Sequence, residues 1–253
     1  MPLKVAVLAD VHANLPALQA ALSKLREEKC DAIYHLGDSI GIGPHPSECL
    51  NLLMATPKMH LLMGNHEAWF VFGIPDPLPP GIPHAEVEHH RWVHSKIDPS
   101  LRDVLAHWPY VIQEQFEGLR VAFTHYGLDD SGADFAPVVK EPTPRDLDRM
   151  FAAFDSDVIF YGHTHRVVDL EGRARYLNPG SVGCHSEPKA RFAVLQVNRS
   201  GFNLVKHEVG YDDSSLFRDL VERGVPDRET ILRSFFPRPS RPDNEYHTNP
   251  SQT

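Results

Sequence analysis

Short, wholly apolar segments alternate with amphipathic helical stretches in the first part of this chain, and that alternation restricts its fold more than any other feature. "LKVAVLA" (3–9), "DAIYHLG" (31–37) and "KMHLLMG" (58–64) read as strands. "LPALQAALSKLREE" (15–28) and "PSECLNLLMA" (46–55) read as the helices between them. Strands that are apolar on both faces belong to a sheet covered by other layers, and a β-helix-β rhythm makes that sheet parallel. Helices are expected at 85–97 and 101–108. The pattern then becomes strand-rich, with strands over 110–116, 119–125, 157–162, 166–172, 173–178, 190–198 and 202–209. "EGR" (171–173) reads as a hairpin turn. A helix at 143–154 has Pro144 in its first turn, where a missing N–H costs nothing. Helices at 213–224 and 227–236 close the pattern. The expected architecture is an α/β domain over 1–236, two sheets face to face with helices outside, followed by a Pro-rich polar tail over 237–253 that is expected to be disordered. "FGIPDPLPPGIPH" (72–84), with five prolines and two glycines, reads as a surface loop.

Charge narrows the range of partners. With 25 basic against 34 acidic residues the net charge is -9, which disfavours non-specific nucleic-acid binding. No basic amphipathic stretch or long apolar run suggests a membrane. Three scattered cysteines, Cys30, Cys49 and Cys184, fit neither a disulfide framework nor a zinc spacing. They read as buried thiols of a cytoplasmic protein, Cys184 included, for which the sequence shows no base or metal partner.

Five polar clusters occupy the ends of apolar strands: "ADVH" (9–12), "GDSIG" (37–41), "GNHE" (64–67), "THYG" (124–127) and "GHTH" (162–165). Loops at the carboxyl ends of strands form the binding crevice of open α/β sheets. These clusters would bring Asp10, His12, Asp38, Asn65, His66, His125, His163 and His165 to one place. Imidazole, carboxylate and amide donors suit divalent ions such as Mn, Fe, Co, Ni or Zn. Eight such groups exceed one tetrahedral zinc and suit a pair of ions about 3.5–4 Å apart, as in phosphate-ester hydrolysis. The D-x-H and H-x-H spacings point both side chains one way along a strand or extended turn. Only Asp10 and Asp38 among these groups carry formal negative charge. Two divalent cations would therefore leave the site net positive, an anion trap within an acidic protein.

D-x-H, G-D, G-N-H-[DE], H and G-H-x-H, in that order over residues 10–165, resemble the signature of the calcineurin-like metallophosphoesterases. "DVHANLPALQAAL", "GDSIGIGPHPSECL" and "NPGSVG" (178–183) look like its small bacterial and archaeal phosphodiesterase-like branch. The resemblance implies a four-layer α/β/β/α sandwich of two mixed sheets. It implies that Asp10, His12 and His165 bind a first metal, that Asp38 bridges, and that Asn65, His125 and His163 hold a second. His66 would not bind metal; it would protonate the leaving oxygen or stabilise the transition state while a metal-bridging hydroxide attacks phosphorus. The expected substrate is a small phosphate ester, a diester or nucleotide-type compound.

Departures bear on that substrate. The protein-phosphatase branch has arginines after GD and before GNH, whereas this chain has Ser39-Ile40-Gly41 and Met63. A phosphomonoesterase or protein serine/threonine phosphatase is the alternative activity, and a non-catalytic binding scaffold is a third, disfavoured because every ligand position is filled. Tyr126 stands where a small residue commonly follows the ligand histidine, and it would narrow or cap the pocket. Asn14 suits either a helix N-cap or a substrate contact, and "NPGSVG" a tight positioning turn. Glu67 is expected to orient a histidine or favour a helix start, ahead of binding metal itself. His89-His90 lies near the proline-rich loop and is expected on a surface helix, with a contact to substrate as the lesser alternative.

Overall fold

The computed structural model of the protein describes residues 2–76, 78, 83–132 and 134–237. Two five-stranded mixed sheets organise the chain. The first has strand order β10-β9-β1-β2-β3 and the second β4-β5-β6-β8-β7. β1 (Leu3–Leu8), β2 (Ala32–His35) and β3 (Met59–Leu61) run parallel. β9 (Lys189–Asn198) and β10 (Gly201–Gly210) extend that sheet antiparallel to β1. In the second sheet β5 (Leu119–Thr124), β6 (Val158–Phe160) and β8 (Arg175–Pro179) are parallel. β4 (Val111–Phe116) and β7 (Val167–Glu171) flank them antiparallel. The expected hairpin lies between β7 and β8, where Glu171 pairs with Arg175.

Strand alternation divides the core into layers. Val5, Val7 and Ala9 face the second sheet, against Val121, Phe123, Val158, Phe160 and Leu177. Ala6 and Leu8 face outward, against Ala17, Leu18, Ala21, Leu22 and Leu25 of α1 (Leu15–Glu28). On the far side of the second sheet, Ala122, Ile159 and Tyr176 pack against Leu147 of α6 (Pro144–Met150) and against Phe151 just beyond it. The order is helix, sheet, sheet, helix, the four layers that the motifs imply.

Between the sheets, Phe123 stacks on Tyr34 of β2 with ring centroids 3.8 Å apart and planes 3° from parallel. Its neighbour within the second sheet, Phe160, lies 5.7 Å away at 6°.

The remaining helices are α2 (Pro46–Met54), α3 (Asn65–Phe72), α4 (His84–Ser95), α5 (Leu101–Leu105), α7 (Ser214–Glu222) and α8 (Arg228–Phe235). Several elements are shorter than the apolar pattern suggests. Past Leu61, the Leu62 N–H still bonds His35 O at 3.0 Å, but the Met63 N–H turns away to the Pro109 carbonyl at 2.9 Å, which ends β3. The expected loop over 72–84 is described only in part: Pro77 and residues 79–82 lie outside the described residues, as do residues 238–253 of the expected tail. No helix among the described residues is long and apolar enough to cross a membrane.

Removing the inter-sheet stack should be costly. Phe123→Ala is expected to lower stability by about 3–5 kcal/mol, the range for emptying a buried phenylalanine site. Urea denaturation measures this, and a loss below about 1 kcal/mol would show that the stack does not couple the sheets.

Candidate metal centre

The parallel strands β1, β2 and β3 end at one edge of the first sheet, and β5, β6 and β8 end beside it in the second. Backbone hydrogen bonds join the loops that follow. Asp10 N–H bonds Gly37 O at 3.2 Å, and His12 N–H bonds Asp38 O at 2.9 Å. Gly162 N–H bonds His125 O at 2.8 Å, tying the loops after β5 and β6. The "NPGSVG" turn after β8 crosses between sheets, with Val182 N–H on Ala9 O and Gly183 N–H on Asp10 O. Ser181 Oγ donates to Asp10 O at 2.6 Å.

All seven candidate ligands converge at this edge, in two groups. His12 Nε2 faces His165 Nε2 at 2.7 Å, with Asp10 Oδ1 at 4.0 and 3.9 Å from them. On the other side Asn65 Oδ1, His125 Nε2 and His163 Nδ1 lie 2.9–3.1 Å from one another. Asp38 stands between. Its Oδ2 is 3.2 Å from His125 Nε2, 3.7 Å from His12 Nε2 and 3.9 Å from His66 Nε2.

The local backbone is unusual. Asp10, His12, Asp38, His163 and His165 all have φ between 47° and 67°. The left-handed region costs non-glycine residues of order 1–3 kcal/mol each, and such outliers cluster at functional sites. The extended geometry expected for D-x-H and H-x-H is therefore corrected: both members of each pair are left-handed. Tight loops, rather than strand alternation, turn these side chains to a common point.

Glu67 holds this arrangement from behind. Fully buried, it accepts from the N–H groups of Asp38 at 2.7 Å, Ser39 at 2.8 Å, Ile40 at 3.3 Å and Gly64 at 3.0 Å. The Ser39 hydroxyl adds a bond of 2.6 Å. It thus fastens the loop after β2 to the start of α3, and the expected contact with a histidine is replaced by backbone donors. A Cβ on Gly64 would overlap the Asp38 backbone and carboxyl; only glycine lets α3 start this close. Asp38 Oδ1 accepts the His66 N–H at 3.1 Å, so the first turn of α3 faces its negative charge.

Electrostatics follow from burial. It pushes His12 and His165 well down, His163 to about 4 and His66 to about 3. These imidazoles are neutral at pH 7, the form that binds metal. Burial would lower His125 as well, but Asp38, Asp10 and Glu67 hold it at about 9. Burial would raise Asp38, yet His125, His66 and His12 keep it well below the usual carboxylate range. Asp10 is pushed up to about 8, by burial first and then by Asp38, against the pull of His125. His125 Nδ1–H donates to Leu36 O at 3.1 Å, which turns Nε2 into the site.

The donor set fits divalent cations. Asp10 Oδ2 is buried without a hydrogen-bond partner, and each group sets lone-pair atoms against one another at distances that a shared cation would relieve. His12, Asp38 and His66 also offer ligating atoms within 4.8 Å of one another, as do Asp38, His125 and His163.

A cavity of about 260 Å³ opens over the centre. His12, Asp38, Asn65, His66, His163 and His165 line it, with Glu86, His89 and His90 of α4 and Asp227, Thr230, Ile231 and Phe235 of or beside α8. None of the described lining residues is lysine or arginine. The surface-helix expectation for His89 and His90 is corrected: they are 5% and 1% exposed. α4 packs inward, with His90 against the rings of His66 and Trp69 at 4.9 and 4.5 Å, and His89 Nε2 accepts the Ile42 N–H at 2.8 Å.

Other expected contacts also move. Tyr126 does not line the cavity; it backs His163 with ring centroids 4.9 Å apart, and its hydroxyl accepts the Val139 N–H at 2.8 Å. Asn14 caps α1 by accepting the Ala17 N–H at 3.2 Å, and its amide donates to Gly183 O at 2.8 Å. Cys184, read from sequence as partnerless, presents its sulfur within 4.8 Å of ligating atoms of His12 and His165. Burial, Asp10 and Asp38 push its thiol well up, so it is no thiolate nucleophile. Contributions of α4 and α8 carried no signal in the linear motifs; Cys184 directly follows the "NPGSVG" turn, which assigns no ligand to that position.

A family model described as the calcineurin-like phosphoesterase superfamily domain matches residues 3–200. An uncharacterized protein of Methanocaldococcus jannaschii is 24% identical over 247 residues, which cover 88% of this chain and 94% of that protein. Among solved structures, a metallophosphoesterase from Sphaerobacter thermophilus matches with a TM-score of 0.69 at 24% identity, covering 92% of this chain and 98% of the other. A hypothetical protein from Pyrococcus horikoshii OT3 matches with a TM-score of 0.77 at 20% identity, covering 93% and 98%. These structural likenesses show the shared fold.

Replacing the acceptor behind the site tests its importance. Glu67→Gln turns an amide N–H₂ toward backbone donors, and is expected to cost about 1–3 kcal/mol of stability. Affinity for Mn²⁺ should fall about 10–100-fold. Unchanged affinity in a calorimetric titration would show that Glu67 does not govern Asp38.

Proposed function

This chain belongs to the calcineurin-like phosphoesterase superfamily, and on that premise we propose that it is a metal-dependent hydrolase of phosphate esters with two divalent transition ions. Asp10, His12 and His165 would hold one ion, Asn65, His125 and His163 the other, and Asp38 both. The observation that supports this reading is the position of Asp38 between two separate groups of nitrogen and oxygen donors. When bound, ions of the Mn, Fe, Co, Ni or Zn class supply Lewis acidity toward phosphoryl oxygens and lower the pKa of water.

The chain's own residues do the rest. His66 lines the cavity and bears no hydrogen bond on its buried Nδ1. With burial holding it at about 3, its ring is a neutral N–H donor at pH 7. That favours stabilising charge on a phosphoryl or leaving oxygen over delivering a proton from an imidazolium. Ile231, Phe235 and Ile42 give the cavity an apolar wall for the alcohol portions of a substrate.

Phosphodiesters, nucleotide-type compounds included, are the favoured substrates. A diester carries one negative charge where a monoester dianion carries two, and this cavity has no described lysine or arginine to meet the second. Met63 is buried, and the Ser39 hydroxyl and N–H are spent on Glu67. Neither position reaches the cavity as an arginine clamp would. Three buried free thiols suit a reducing cytoplasm.

Two measurements test this reading. Metal analysis after Mn²⁺ loading should find two ions per chain in the wild type and in His66→Ala, with turnover lowered about 10²–10³-fold in the variant. Absence of bound metal in the wild type would sink the enzyme reading, and metal loss in His66→Ala would make His66 a ligand. With Mn²⁺ present, a bis-aryl phosphodiester should turn over faster than the aryl monoester. The reverse order would establish the phosphomonoesterase alternative.

A further inference from the structure

One thiol stands at the first group of donors, although the linear motifs assign no sulfur there. His12, His165 and Cys184 each offer one ligating atom, and the three lie within 4.8 Å of one another. Asp10 faces the same group, its Oδ1 4.0 Å from His12 Nε2 and 3.9 Å from His165 Nε2, and its buried Oδ2 accepts no hydrogen bond. Cys184 is 4% exposed and is held at this point by the backbone. Its N–H donates to Ser181 Oγ at 2.7 Å, and Ser181 Oγ donates to the carbonyl of Asp10 at 2.6 Å. Gly183, the residue before it, fits because a Cβ there would overlap Val11 O. The turn that crosses between the sheets, hydrogen-bonded to the Asp10 carbonyl, therefore presents Cys184 to the cluster. The other two cysteines are differently placed: Cys30 and Cys49 lie in the apolar cluster against α1.

We propose that Cys184 is a thiolate ligand of the first metal position, joining Asp10, His12, His165 and the shared Asp38 there and biasing that position toward a thiophilic ion such as Zn²⁺, Fe²⁺ or Co²⁺ over Mn²⁺. Two imidazole nitrogens, one sulfur and the carboxylate oxygens of Asp10 and the shared Asp38 form a mixed nitrogen, sulfur and oxygen set of the kind that borderline ions take. Thiolate is the donor that separates such ions from hard ones. Coordination replaces the S–H proton, which passes to solvent, so binding at this position releases one proton from Cys184. The second position, with Asn65, His125 and His163, has no sulfur within its group, so the two positions differ in the ions they prefer. This inference rests on the proposed metal site and adds to it a ligand and a selectivity.

Titrating Co²⁺ into the metal-free full-length protein provides the test, read by absorption rather than by turnover. Wild type and Cys30→Ala are expected to show a near-ultraviolet sulfur-to-cobalt charge-transfer band together with the visible d–d bands. Cys184→Ser should lose the first and keep the second. Visible bands in the wild type without charge transfer, or a charge-transfer band that survives in Cys184→Ser, would overturn the assignment while leaving the proposed metal site standing. No cobalt binding at all would overturn both. Should Cys184→Ser fail to fold, X-ray absorption on the zinc-loaded wild type decides: a sulfur scatterer at about 2.3 Å supports the assignment, and nitrogen and oxygen scatterers alone overturn it.

Discussion

One buried carboxylate sets the geometry of everything that faces the cavity. Glu67 gathers donors from Asp38, Ser39, Ile40 and Gly64, and in doing so fixes the loop after β2 against the first turn of α3. An isolated carboxylate in this position would be expensive to bury; charge-assisted hydrogen bonds, each worth about 1.5–3 kcal/mol net, offset that cost. The result places Asp38, Asn65 and His66 relative to one another through backbone rather than through flexible side-chain contacts. Burial and the Asp38 charge push Glu67 upward while the Ser39 hydroxyl opposes them, so its retention depends on the same donors it organises.

Around that fixture, the two sheets each contribute half of the centre. The first delivers Asp10, His12, Asp38 and Asn65 from parallel strands, and the second delivers His125, His163 and His165. The "NPGSVG" turn joins them by hydrogen bonds to Ala9 and Asp10. Backbone strain is concentrated here, with five of the convergent residues in the left-handed region. The core supports that cost: the Tyr34–Phe123 stack and the aliphatic layer between the sheets hold the strands from which the strained loops leave.

Charge and function meet at the same place. An acidic chain offers a cavity among the described residues without lysine or arginine, so attraction for an anion would come from bound cations. The candidate donors are two carboxylates, an amide and buried imidazoles, neutral except for His125, which Asp38, Asp10 and Glu67 hold at about 9. Such groups cost much to leave facing one another without a cation. α4 and α8 close the sides of the cavity, so under the proposed function the alcohol portions of a substrate would meet elements outside the loops that carry Asp38 and the histidines.

The linear sequence determined the strand-end clusters, the identity of each donor and the layered α/β architecture, because apolar periodicity and local spacing are properties of neighbouring residues. Asp10, His12, Asp38, Asn65, His125, His163 and His165 were all legible as polar side chains at strand ends for that reason. The structure sets them in two groups about Asp38. Other features depended on tertiary structure. The left-handed turns arise because loops from two sheets must converge on one point, and residue types alone do not reveal that. His89 and His90 became cavity residues because α4 folds inward onto α3, a packing choice between distant segments. Cys184 acquired its neighbours in the same way: nineteen positions separate it from His165 in the chain, and only the crossing of β8 back toward β1 brings its sulfur beside His12.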